Sequence, residues 1–208
     1  TADVYGLGKS EEILSHALAE KRHDVVLITK FGVNWKKISG SKRAKTFYDS
    51  SPKRVIQSLH ASLRRLRVDS IPVYMIHWPD PKTPIEETME ELKKAKNDGK
   101  IQSIGLSNFS IMQIKKAYEI EPISCIQMPY NLINRPTNNN IFSLCDEYNI
   151  SILAYGPLAQ GYLTGKYNNY SKFGNNDRRS ILKHFQSEIM KSNHKVLIRL
   201  RDLANKYK

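Results

Sequence analysis

The chain has 208 residues, 40% of them hydrophobic and 25% charged, enough to bury one substantial core and typical of a soluble globular protein. No apolar run approaches the roughly 18 to 20 residues needed to cross a bilayer, and the first residues lack the order of a signal peptide, so one cytoplasmic domain with no membrane partner is expected. The net charge of +13 raises the question of nucleic acid, because Lys and Arg release counterions from phosphate.

The positive residues are spread over most segments, however, and the denser runs, Lys36 to Lys45 and Arg178 to Lys183, carry no signature of a nucleic-acid module. They read as a solvated basic face that would also attract an anionic or phosphorylated small ligand, and no specific nucleic-acid partner is expected. Cys125 and Cys145 stand in no CxxC pair and near no His cluster. Neither a disulfide framework nor a metal is therefore expected, and both should pack as small buried groups.

Short apolar runs alternate with amphipathic stretches along the chain, the order of βα units feeding a parallel sheet. A helix is expected over Ser10 to Lys21 and a strand over Val25 to Thr29. Val33 to Ser50 is basic and reads as irregular. Ser51 and Pro52 supply an N-cap and a first-turn proline for a helix with Ile56, Leu59, Leu63 and Leu66 on one face. After a strand at Ile71 to Ile76, the stretch Thr83-Pro84-Ile85-Glu86 offers a capping box for a helix carrying Ile85, Met89 and Leu92, which Gly99 ends. A strand at Ile101 to Leu106 is followed by a second capping box at Ser110 and Gln113. Then come a strand at Ser124 to Met128, a helix at Asn138 to Tyr148 and a strand at Ile150 to Ala154. Lys166 to Asp177 reads as a second irregular stretch, and a helix is expected at Asn193 to Tyr207.

The five strands are short and mostly continuous in hydrophobicity, as strands covered on both faces should be. Each irregular stretch follows a strand, where the βα loops of a parallel barrel carry chemistry, so both are candidate lids as well as plain polar loops. Five strands and an earlier fragment cannot close a barrel of eight. The expected fold is an α/β (β/α)8 TIM barrel, with residues 1–208 forming a single partial domain that lacks the first strands and the last.

The strand ends carry an unusual set of polar groups: Lys30, His77, Ser107 with Asn108, Gln127 and Tyr155. Taken singly, Lys30 reads as a snorkelling surface lysine and His77 as a hydrogen-bonded core histidine. In a parallel barrel, though, C-terminal strand ends converge on one face, and a Lys and a His meeting there are candidates for acid–base work.

Six ordered stretches make the pattern specific. Thr1-Ala2-Asp3-Val4-Tyr5-Gly6, Ile28-Thr29-Lys30, His77-Trp78-Pro79-Asp80, Gly105-Leu106-Ser107-Asn108-Phe109, Gln127 and Tyr155-Gly156-Pro157-Leu158-Ala159-Gln160-Gly161 resemble the successive motifs of the aldo-keto reductase family. Tyr130-Asn131-Leu132-Ile133-Asn134-Arg135 and Leu163-Thr164-Gly165-Lys166-Tyr167 are similar to the branch that holds bacterial stress-type reductases and potassium-channel β subunits.

The resemblance implies NADP(H)-dependent reduction of aldehyde or ketone carbonyls, with Tyr5 as general acid, Lys30 beside it, and His77 orienting the carbonyl. A phenol gives up its proton poorly near neutrality, and an adjacent ammonium stabilises the phenolate. Ser107, Asn108 and Gln127 are implied to hold the nicotinamide carboxamide and Tyr155 to stack on its ring. Gly156, Pro157, Leu158, Ala159 and Gly161 are implied to form the turn that approaches the pyrophosphate. Trp78, Phe31 and Trp35 either wall an apolar substrate pocket above the nicotinamide or, as aromatic residues near strand ends equally often do, serve packing. The family places an aspartate directly before Thr-Ala, where this sequence opens at Thr1. Asp3 does not replace it, because it already lies in the turn. NADP rather than NAD follows from the resemblance alone. The alternatives are a catalytically impaired nicotinamide-binding regulator or scaffold like the channel β subunits, and a nucleic-acid binder relying on charge. A homo-oligomer is left open.

Overall fold

In the computed structural model the apolar runs become parallel strands and the amphipathic stretches become the helices that cover them. The structure describes residues 1–37, 44–135, 140–168, 170–174 and 177–207. Positions 38–43 of the Val33 to Ser50 stretch, 138–139 at the expected start of a helix, and 169, 175 and 176 of the Lys166 to Asp177 stretch lie outside the described residues.

A 3-10 turn at Tyr5–Gly8 leads into α1 (Lys9–Leu18). Strand β1 (Ile28–Phe31) follows, then an antiparallel hairpin of β2 (Val33–Lys37) and β3 (Ala44–Tyr48). Next come α2 (Pro52–Leu66), β4 (Ile71–Ile76), α3 (Ile85–Asn97), β5 (Ile101–Ser107), α4 (Ile111–Ile120) and β6 (Ile123–Pro129). The remaining elements are α5 (Asn140–Glu147), β7 (Ser151–Tyr155), short 3-10 turns, and α6 (Ser187–Lys206). The main sheet has five strands in the order β1-β4-β5-β6-β7, and β1–β4, β4–β5 and β5–β6 pair in parallel. Parallel strands joined by helices are the repeating unit of a (β/α)8 barrel.

The chain forms two compact units, Thr1–Met128 with Asn139–Leu153, and Pro129–Asn138 with Ala154–Lys208. The first is built on a core in which Ile71, Tyr74, Ile76, Ile104 and Leu106 of the sheet pack with Val55, Leu59, Met89 and Leu92 of the helices. Each such side chain contributes roughly 1.5–3 kcal/mol when withdrawn from water. Cys125 and Cys145 are buried free thiols. The second unit has its own small cluster of Ala159, Tyr162, Phe185 and Met190. Among the described residues no helix is long and apolar enough to cross a membrane.

Several local expectations change. Val33 to Ser50 holds the hairpin rather than only irregular chain, pairing Val33 with Tyr48 and Trp35 with Thr46. The first strand begins at Ile28, and Val26 is 71% exposed, because the preceding 3-10 turn at Ala19–Asp24 uses up the approach. On α2 the buried face uses Val55, with Ile56 exposed. The capping box expected at Thr83 is not formed, since Pro84 occupies the N-cap position and the Thr83 hydroxyl donates to Asp80 at 2.7 Å. The box at Ser110 and Gln113 is formed reciprocally.

Gly105 sits in β5 opposite Met75 and Cys125, and a Cβ there would stand 2.9 Å from Met75 and 3.0 Å from the Cys125 Sγ. Backbone on both sides prevents the strands from moving apart, so the side chains would have to leave their wells. Gly105→Ala in the whole protein is expected to lose about 1–3 kcal/mol of stability, read as a lower urea midpoint at unchanged slope.

Candidate active site

Tyr5 owes its position to an extended segment lying along the edge of β1. The backbone nitrogens of Thr1 and Asp3 donate to the carbonyls of Ile28 and Lys30 at 2.7 and 2.9 Å. Gly6 and Leu7 then take positive φ values of 59° and 55°, turning the chain sharply into α1. Tyr5, at the outside of this turn, is 46% exposed.

Lys30 comes up from β1 beneath it. Its side chain is 5% exposed, and Nζ lies 5.7 Å from the Tyr5 ring centroid while donating to the Thr1 carbonyl at 2.8 Å. Burial holds its pKa below the ordinary lysine value. His77 follows β4 directly, its amide donating to the Phe31 carbonyl at 2.8 Å. Its ring stands edge-on to Tyr5, with centroids 5.5 Å apart and planes at 80°. Burial first, and the Lys30 ammonium second, push the imidazole down to about 4, so His77 is neutral across the physiological range. The phenol, the ammonium and the imidazole are therefore brought together, although they come from three separate segments.

Ser107, Asn108 and Gln127 gather beside them. Ser107 and Gln127 are register partners on β5 and β6, and the Asn108 amide donates to the Gln127 carbonyl at 3.0 Å. Asn108 has a φ of 66°, and its Nδ2 donates to the His77 carbonyl at 3.1 Å and to the Ser107 Oγ at 2.9 Å. A cluster of amide, hydroxyl and carboxamide groups can grip a planar carboxamide, which both donates and accepts.

The second unit carries the other motif. The Tyr155 carbonyl accepts from the Tyr130 amide at 3.3 Å, and Gly156 opens a turn with a φ of 64°. Ala159, Gln160 and Gly161 all have positive φ, a concave run that suits close approach of an anionic group to the backbone. Leu158 is exposed and Pro157 has no amide to offer. Ala159 is 1% exposed within the apolar cluster, backbone included, so it offers a ligand no accessible surface, unlike the expectation for this position.

Of the three residues expected to wall a pocket, Phe31 does not. It is fully buried and stacks on Tyr74 with centroids 4.8 Å apart, because on β1 it points to the opposite side from Lys30. Trp78 is partly exposed and faces Tyr48 at 6.4 Å, and Trp35 lies over the Arg54 guanidinium at 5.8 Å. Tyr48 was hidden in the stretch read as irregular, though Lys45-Thr46-Phe47-Tyr48 is rich in strand-forming residues. Asp80 is a second omission. It accepts from the Ser50 amide at 3.0 Å, the Lys82 amide at 2.9 Å and the Thr83 hydroxyl at 2.7 Å, and so ties the end of the hairpin to the loop after β4. Burial works to raise its carboxyl, but these hydrogen bonds win and hold it below the ordinary range. Asn131 is a third, its Nδ2 donating to the Gly156 carbonyl at 3.0 Å.

The profile of the aldo/keto reductase family matches residues 1–208. The chain belongs to that family. This aldo/keto reductase chain is 38% identical over 206 residues to Aldo-keto reductase YhdN of Bacillus subtilis, covering 98% of itself and 60% of that relative. It is 33% identical over 210 residues to the NADP(+) aldo-keto reductase yakc of Schizosaccharomyces pombe, covering 98% and 60%. Among solved structures, the glycerol dehydrogenase AKR11B4 from Gluconobacter oxydans superposes with a TM-score of 0.92 at 42% identity, covering 99% of this chain and 63% of that one. An aldo/keto reductase from Klebsiella pneumoniae in complex with NADP and acetate gives 0.64 at 26% identity, covering 77% and 52%. The chain thus spans about 60% of the length of the curated relatives it matches.

Asp3 is the most perturbed carboxyl beside the site, raised from an ordinary 3.8 to about 7, first by burial and then by Glu11. Between those values the folded protein keeps a proton that the unfolded chain has released, so Asp3's contribution to stability is full below about pH 4 and is lost as the pH rises through 7. Asp3→Asn is expected to be more stable than the parent at pH 8 and no more stable at pH 4, by up to the order of 4 kcal/mol, measured by urea unfolding at both pH values. His77 acts in the opposite sense, but its contribution cancels in the difference between the two proteins. By NMR, the His77 ring is expected to show no titration between pH 5 and 8, with its protonation appearing only near pH 4.

Proposed function

We propose that the protein carrying this chain reduces an aldehyde or ketone carbonyl to the alcohol, with NADPH as reductant and Tyr5 as proton donor. The observation that carries this reading is the exposed Tyr5 phenol flanked by the Lys30 ammonium and the edge of a neutral His77. As negative charge develops on the carbonyl oxygen, Tyr5 gives it a proton, and the phenolate left behind is stabilised by Lys30. His77, being neutral, can donate a hydrogen bond from its ring N–H without adding charge, which orients the carbonyl. Trp78, Trp35 and Tyr48 would face the rest of the substrate.

The dihydronicotinamide supplies the hydride when bound. Ser107, Asn108 and Gln127 suit its carboxamide, Tyr155 its ring, and the turn Gly156 to Gly161 its pyrophosphate, where a Cβ on Gly156 would stand 3.0 Å from Gln160. NADP is favoured over NAD by the relatives: yakc is an NADP(+) enzyme and the Klebsiella reductase was solved with NADP. AKR11B4 is a glycerol dehydrogenase, and by microscopic reversibility Tyr5, Lys30 and His77 would serve alcohol oxidation in the reverse direction.

The test is NADPH consumption by the whole protein with a panel of aliphatic and aromatic aldehydes and ketones. Tyr5→Phe should lower kcat roughly 10²- to 10⁴-fold while NADPH binding is retained. Absence of turnover by the parent across the panel would overturn the assignment and favour a nicotinamide-binding regulator.

A further inference from the structure

Two residues behind Tyr5, Asp3 is 1% exposed, and neither of its carboxylate oxygens accepts a hydrogen bond from the described residues. Its nearest cation is Arg54 of α2, whose Nη2 is 4.0 Å away and whose Nε is likewise buried without an acceptor. A buried ion pair with so few hydrogen bonds is poor value for stability, since desolvation of both groups is only partly offset by their attraction. The neighbouring pair shows the contrast: Glu11 takes hydrogen bonds from Arg65 and from the Thr29 hydroxyl, each at 2.6 Å, and has no need of Arg54. Among the described residues Arg54 has Asp3 on one side and, 5.8 Å from its guanidinium, the Trp35 ring on β2.

We propose that Asp3 and Arg54 are positioning residues that hold Trp35 in place, so that acceptance of bulky apolar carbonyls depends on their pairing. This rests on the carbonyl-reducing reading. The guanidinium attracts the ring face by a cation–π interaction, and it is itself anchored by the carboxylate beneath the turn that carries Tyr5. Asp3 therefore links the proton donor's turn to the hairpin. The charged and titratable groups facing Asp3 are Glu11 of α1, Arg54 and Arg65 of α2, and Tyr74 of β4, and the adjoining Val4 amide works with the two arginines to lower its carboxyl. With its carboxyl raised to about 7, the pair is charged above neutrality and weakens as the pH falls below it.

Trp35 and Trp78 are the two tryptophans, so Trp78→Phe isolates Trp35 fluorescence in the whole protein. Its emission is expected to move to the red as the pH falls from about 8 to about 6, with a midpoint near 7, and Asp3→Asn added to that background should hold the low-pH emission throughout. With Trp78 intact, Asp3→Asn and Arg54→Met should raise KM for a bulky aromatic aldehyde about fivefold or more at pH 8. KM for a three-carbon aldehyde should stay within about twofold and kcat should be unchanged, with Arg54→Lys restoring part of the loss. An emission step that survives in Asp3→Asn, or KM values for large and small aldehydes that rise together, would overturn the proposal. If the parent turns over no carbonyl at all, the reductase reading falls, and the emission step still decides whether Asp3 holds Trp35.

Discussion

The Lys30 ammonium sits where a charge is costly, against the rim of the sheet with a phenol and an imidazole as neighbours, and among the described residues it donates to the Thr1 carbonyl at 2.8 Å. That acceptor is in place because the backbone nitrogens of Thr1 and Asp3 are held to β1 by hydrogen bonds to Ile28 and Lys30. The same pinning determines where Tyr5 emerges. Placement of the Tyr5 phenol and of the Lys30 ammonium beside it are thus one event, the pairing of Thr1 and Asp3 with β1. The protonation state of His77 then follows, since a buried imidazole beside a fixed positive charge loses its proton.

Around this centre the polar residues between α1, α2 and β1 divide into two classes. Glu11, Arg65 and Thr29 form a closed set with short hydrogen bonds, the arrangement expected where a buried charge serves the fold. Asp3 and Arg54 form an open one, with donors and acceptors unmet among the described residues and a carboxyl that resists ionisation. Two buried acids so close together in a small volume need not differ this much on structural grounds alone. The difference places strain beside Tyr5 and spares the helix pair, which is where a protein exchanging stability for function would put it.

Much of this was legible in the sequence, and the parts that were not share a cause. The apolar run Ile71 to Ile76, and the mostly apolar Ile101 to Leu106, announced buried parallel strands, because short stretches covered on both faces need few polar residues. Lys30 and His77 stood out because strand ends in such a sheet share one rim. Phe31 misled, since position next to Lys30 says nothing of direction, and in a strand the adjacent side chain points the other way. Tyr48 and the hairpin were obscured by lysines, whose charge masks strand propensity in an exposed pair of strands. Arg54 could not have been found at all from its neighbours in sequence, because its two partners, Asp3 and Trp35, reach it from other segments.

Asn108 explains why a polar residue is required where the backbone would prefer glycine. Its φ of 66° costs an L-residue on the order of 1 kcal/mol, less for Asn than for most. Glycine would remove that cost but also the side-chain Nδ2, which holds the His77 carbonyl and the Ser107 hydroxyl together. Through it, the residues suited to a nicotinamide carboxamide are joined to the backbone of the imidazole that would meet the carbonyl. A shift of β5 against β4 would therefore disturb Ser107, Asn108 and His77 together, and the paired register Ile76 with Leu106, one residue before His77 and Ser107, is what resists it.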